Sequence, residues 1–193
     1  MGSGPPAKAF TEEWNADFSY GVWVTGGSLN TARQSLVGSG TQDAALVFGG
    51  SPNSGITENY NGTAWGEVND LNTGRQSLAS AGTTNTAALA FGGSNPSSVT
   101  NTETWNGTSW TEVNDLNAAN KNQGGAGTTS SGLEFGGGPG IVATTESWNG
   151  TSWTEVADLN TAVSQLGGCG ASNTSALAFG GSLPGGDTTG TES

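Results

Sequence analysis

The sequence predicts an all-β protein assembled from about four copies of a unit of about 45 residues, and three recurring markers carry that expectation. Phe-Gly-Gly returns at Phe48, Phe91, Phe135 and Phe179, at intervals of 43, 44 and 44 residues. Thr-Glu-x-Trp/Tyr-Asn begins at Thr11, Thr57, Thr102 and Thr145, and its opening returns as Thr191-Glu192-Ser193. A further Trp falls at Trp23, Trp65, Trp110 and Trp153. Of 15 aromatic residues, 12 occupy these positions, which is what a stacked array requires: each unit buries its large side chains against the next. The expected inter-unit core is therefore Phe48, Phe91, Phe135, Phe179, Trp14, Tyr60, Trp105, Trp148, Trp23, Trp65, Trp110 and Trp153.

Each unit resolves into four short strands. The first is small and Gly/Ala-rich, as in Ser77–Thr83, and the second is an apolar run, as in Ala87–Phe91, stopped by Gly-Gly. The third spans Thr100–Trp105 and the fourth Trp110–Val113, with Gly, Asn, Ser or Pro bounding each run and no helical period long enough for a helix. Between the last two, Asn106-Gly107 predicts a tight type I′ hairpin turn in which Trp105 faces Thr108 and Glu103 faces Trp110. That register puts both tryptophans on one side, toward the neighbouring unit.

Composition removes several functions. The chain has 193 residues, a net charge of −12, only four Lys or Arg, no His and one Cys. Four cations make no basic patch, so neither nucleic acid nor membrane insertion is expected. No apolar run approaches a spanning helix, and the first residues lack the apolar core of a signal peptide. Without His, neither a Ser/His or Cys/His catalytic arrangement nor an imidazole metal site can be built, so no cofactor and no metal are expected. Cys169, in Gly167-Gly168-Cys169-Gly170, stands where other units have Ser39, Ala81 and Ala126, and reads as a small buried residue rather than a nucleophile. The carboxylates are mostly copied: Glu12, Glu58, Glu103, Glu146 and Glu192 share one position, and Asp70, Asp115 and Asp158 another. A residue copied into every unit fits a local contact better than the single asymmetric site of a hydrolase.

A Gly-Gly doublet closing one strand, an aromatic about ten residues on, a Trp about five further and the period near 45 residues resemble the kelch repeat. The resemblance covers Phe10 to Ser193 and implies a kelch-type β-propeller of four-stranded blades, residues 10–193, behind an N-terminal tail of residues 1–9. Arg33 and Arg75 resemble the Arg that precedes a kelch blade, whereas Asn120 and Val163 stand at that position later. The copper site of galactose oxidase, a kelch enzyme, needs two His, two Tyr and a Cys, and cannot be assembled from Tyr20, Tyr60 and Cys169. The wording Thr-Glu-x-Trp-Asn-Gly-Thr-Ser-Trp-Thr-Glu-Val-x-Asp-Leu-Asn is similar to kelch-like arrays of marine bacteriophages, which implies a virion or extracellular location.

The expected function is a non-catalytic binding or adhesion module. Its partners would be a host surface glycan or receptor, other virion proteins, or further copies of the chain. The loops after Gly-Gly vary in length, at six, eight, seven and nine residues, while the hairpins stay nearly constant. Variable loops on a fixed scaffold are where recognition concentrates, which nominates Asn53, Arg33, Arg75, Asn95 and Asn101 as ligand-binding residues on that face. A structural virion protein and, third, a carbohydrate-active hydrolase are the competing readings. Closure is also open. Thr11–Val24 could supply the outer pair of the blade begun by Gln165–Phe179, but Thr191-Glu192-Ser193 competes for that place, so a closed four-blade ring, a partial ring and an oligomer-completed ring all stand.

Overall fold

The computed structural model describes residues 8–15 and 22–193, which contain strands, turns and loops and no helix. Tyr20, named above for the copper site, lies outside the described residues. The chain opens with a hairpin of β1 (Glu12–Asn15) and β2 (Val22–Thr25). Blade 1 is β3 (Val37–Thr41), β4 (Ala44–Phe48), β5 (Thr57–Tyr60) and β6 (Trp65–Val68). Blade 2 is β7 (Ala79–Thr84), β8 (Ala87–Phe91), β9 (Thr102–Trp105) and β10 (Trp110–Glu112). Blade 3 is β11 (Gly124–Thr128), β12 (Ser131–Phe135), β13 (Thr145–Trp148) and β14 (Trp153–Glu155). Blade 4 has β15 (Gly167–Ser172) and β16 (Ser175–Phe179), then a small hairpin of β17 (Ser182–Leu183) and β18 (Gly186–Asp187), and finally β19 (Thr191–Glu192) against β16.

The fold is thus a four-blade β-propeller of small antiparallel sheets, three of them four-stranded and the last three-stranded. The first strands β3, β7, β11 and β15 stand side by side around the axis. Their small residues make that approach possible: a Cβ on Gly125 would meet Ser80 O at 2.7 Å. Just before each first strand, Ser35, Ser77, Asn122 and Gln165 adopt φ between 54° and 57°, a region non-glycine residues avoid. Bonds between blades offset that strain: Ser77 N donates to Ser35 O, Asn122 N to Ser77 O and Gln165 N to Asn122 O, at 3.1, 2.9 and 2.8 Å. Among the described residues no such bond links Ser35 back to Gln165, so this ladder is open between blades 4 and 1.

The core lies between blades. Phe48 packs on Trp110 of the next blade with ring centroids 4.7 Å apart, and Phe91 on Trp153 at 4.9 Å. Indole N–H groups fix the same junctions, Trp65 Nε1 donating to Thr11 Oγ1, Trp110 Nε1 to Thr57 Oγ1 and Trp153 Nε1 to Thr102 Oγ1, at 2.9, 3.0 and 3.0 Å. Eight of the expected core aromatics are buried, and Trp65 is half-buried. Trp14, Trp23 and Phe179 are 47%, 64% and 43% exposed, which corrects their assignment as core: each belongs to an end unit that lacks a neighbour on one side.

Two further expectations change. The hairpin register pairs Trp105 with Trp110, not with Thr108, so the turn has four residues. Asn106 keeps negative φ and caps the turn with its side chain, Oδ1 accepting Thr108 N and Ser109 N at 2.9 Å each, while Gly107 alone turns to φ +92°. The two indoles still share a face, 5.4 Å apart. At the termini, β19 takes the place beside β16, and the β1–β2 hairpin seats against blade 1 through Thr11 and through Glu13, which accepts the Tyr60 hydroxyl.

Candidate functional site

The copied carboxylates are joints between blades. Asn72, at the end of blade 1, gives its backbone N–H and Nδ2 to Glu103 Oε2 of blade 2 at 2.7 and 2.8 Å. Asn30 serves Glu58 in the same way, Asn117 serves Glu146 and Asn160 serves Glu192. Glu12 has the same place in the repeat but is exposed. The second acidic position is spent within its blade, where Asp70 and Asp115 accept the backbone N–H of Thr57 and Thr102 at 3.1 and 3.0 Å.

Arg33 and Arg75 complete two joints, which corrects their placement on the binding face. Both are buried and ion-paired, Arg33 with Glu58 and Arg75 with Glu103. A carboxylate taken from water needs a matching cation, so these guanidinium groups are held inside the array. Burial pushes the Glu58 carboxyl up, but bonds from Arg33 and Asn30 outweigh it and leave the group below its ordinary range. Blade 3 solves the problem differently. Asn120 stands in place of Arg and donates Nδ2 to Glu134 Oε1 at 2.5 Å and to Gly136 O at 2.7 Å. Glu134 lies opposite Glu146 across the β12–β13 pair, and burial, with the nearby Glu146 charge, pushes its carboxyl up to about 8.

An open cavity lies at the mouth of the axis. This cavity of about 430 Å³ is bordered by the polar Ser35, Ser77, Asn122, Gln123 and Gln165 and by the apolar Leu36, Val37, Leu78 and Leu166. Its rim adjoins the variable loops, because Gln34, Gln76, Lys121 and Ser164 bridge to Ser51, Ser94, Gly138 and Ser182, where those loops begin. The lining carries no charge and alternates hydrogen-bonding groups with Leu and Val side chains. Gln123 is the odd residue, standing where the other units have Leu36, Leu78 and Leu166. It is buried, its Nε2 donates to Phe91 O at 3.0 Å, and its Oε1 has no protein partner. This residue escapes the sequence reading although the alignment of the repeats displays it.

The nominated asparagines sit on the loops and not on this rim. Asn53 is half-buried at φ +49° with Oδ1 lacking a protein partner, Asn95 is exposed, and Asn101 donates Nδ2 to Glu112 Oε1 at 3.0 Å. Cys169 is exposed, which corrects its expected burial: it lies on β15 of the last blade and lines the axial opening with Gly38, Ala81 and Ala126. Among the described residues, no three His, Cys, Asp or Glu side chains gather as a metal site would require. Comparison with protein-family models and with curated proteins finds no match for this chain.

Proposed function

We propose that the chain is a kelch-type, non-catalytic binding module whose axial mouth and surrounding loops take a neutral, hydroxyl-rich ligand, a glycan of a host cell surface, on behalf of a bacteriophage particle. The observation that carries this reading is the 430 Å³ mouth, whose lining is uncharged and sets Ser35, Ser77, Asn122 and Gln165 beside Leu36, Val37, Leu78 and Leu166. Neutral amides and hydroxyls exchange hydrogen bonds with sugar hydroxyls without burying an ion, and the apolar side chains between them suit the C–H faces of a sugar ring. The copied carboxylates support a binding role rather than hydrolysis, since their oxygens are engaged in holding blade to blade. The resemblance of the repeat wording to phage kelch-like arrays supplies the biological setting.

A glycan array probed with the purified chain tests the reading. Saturable binding is expected, with Gln165→Ser weakening it about tenfold while the fold survives, because Ser is the residue of the first two units at this exposed rim position. A blank array, together with copurification of the chain on assembled particles, would replace this reading with a structural virion role.

A further inference from the structure

Each complete junction seats a Trp from the following blade between a Phe ring and a Thr hydroxyl: Trp110 on Phe48 and Thr57, Trp153 on Phe91 and Thr102. The third junction has the seat without the Trp. Phe135 and Thr145 border a cavity of about 260 Å³ between blades 3 and 4, and the buried apolar cluster there contains no indole. Thr145 Oγ1 donates to Ala143 O at 3.4 Å, as Thr57 and Thr102 donate to their own neighbours, yet among the described residues it accepts no indole N–H. On β16, β19 covers only Ala178 and Phe179, and Leu177 is 37% exposed.

The rim of this seat differs from those of the two complete junctions. Asn69 and Asn114 donate Nδ2 to Thr108 O and Thr151 O in the Asn-Gly-Thr turns of the following blades, at 2.8 Å each. The third unit has Ala157 at that position and offers no such donor. Gly27 stands at the same position before blade 1 and packs on the Asn61-Gly62-Thr63 turn there, so the missing donor alone does not choose the hairpin; the choice rests on what the β1–β2 hairpin leaves unfilled. That hairpin shows the complementary vacancies: Trp23 is the most exposed aromatic of the repeat and Glu12 lacks the Asn clamp that holds its counterparts. In its own chain the hairpin is seated on blade 1, at the other end of the open ladder, and none of its residues borders the empty seat.

We propose that the β1–β2 hairpin of one copy completes the last blade of a second copy, with Trp23 entering between Phe135 and Thr145 and Glu12 replacing Glu192 on Asn160 and Thr161. The interface is head-to-tail, because seat and hairpin lie on opposite ends of the array. It repeats the junction already used between blades, so it needs no new kind of contact.

Sedimentation of the full chain over a concentration series tests the proposal. The wild type is expected to gain mass with concentration, and Trp23→Ala to weaken association about 30-fold, the loss of a buried aromatic anchor. Ala157→Arg, at an exposed position of the seat, is expected to weaken it as strongly. The decisive step mixes the two variants: each retains the half that the other lacks, so together they should form a one-to-one complex that neither forms alone. Near-UV circular dichroism checks that both remain folded. A wild type that stays monomeric at every concentration, association indifferent to Trp23→Ala, or a mixture that stays monomeric would each overturn the proposal.

Discussion

At the scale of single residues, the three buried joints show two ways of housing a carboxylate, and pH separates them. Glu58, paired with Arg33, is held below its ordinary range, so its contribution is complete above the unfolded carboxylate value and fades as pH falls. Glu134 behaves in the opposite sense. Its carboxyl is raised from 4.5 to about 8, so the folded state keeps a proton that the unfolded chain releases. Its contribution is complete below about 4.5 and is lost as pH rises toward about 8. In that window stability should fall by at most about 1.4 kcal/mol per pH unit. Glu134→Gln retains the carbonyl that accepts Asn120 Nδ2 and has nothing to ionise. Urea unfolding at a series of pH values should therefore show a flatter profile for the Glu134→Gln variant and a gain on the order of 1–3 kcal/mol at neutral pH. Parallel profiles for the two proteins would sink this assignment.

At the scale of elements, a turn shows both how far the sequence can be read and where the reading stops. The Asn-Gly-Thr triplet marks the hairpins and the side on which Trp105 and Trp110 lie, because strand alternation fixes the face once the turn is known. It misleads on register, since the Asn acts through its side chain, a choice that the letters Asn-Gly do not distinguish from a two-residue turn. The joints are legible only as positions. Glu103 and Asn72 repeat in step, but their meeting depends on how one blade stacks on the next, and no local propensity encodes that. Arg75 likewise reads as a surface cation until its carboxylate partner is found behind it. The turn supplies a direct test. Asn106→Ala removes two bonds to backbone N–H groups and should lower stability by about 1 kcal/mol. Gly107→Ala forces a Cβ into φ +92° and should cost about as much or more. Both losses read out as a lower urea midpoint with an unchanged slope, whereas an unaltered midpoint in Asn106→Ala would show that the cap contributes nothing.

At the scale of the whole molecule, the array behaves as a row of units each steadied by its neighbours, which makes stability depend on position along the row. Blade 2 has a complete blade on either side, and the residues Ala88 to Phe91 of its second strand are wholly buried. The equivalent strand of blade 4 ends in an exposed Phe179, and the hairpin at the opposite end carries exposed Trp14 and Trp23. Local opening costs least where apolar contact is least, so amide exchange should be slowest in β8, intermediate in β4 and β12, and fastest in β1, β2 and β19. Equal protection in all blades of a dilute sample would instead mean that the units unfold together as a closed ring, with no weak ends. Concentration then distinguishes the ends from the middle. If hairpin and seat join between copies, raising the protein concentration protects β1, β2 and β16 by mass action and leaves β8 unchanged, since association buries those strands and not β8.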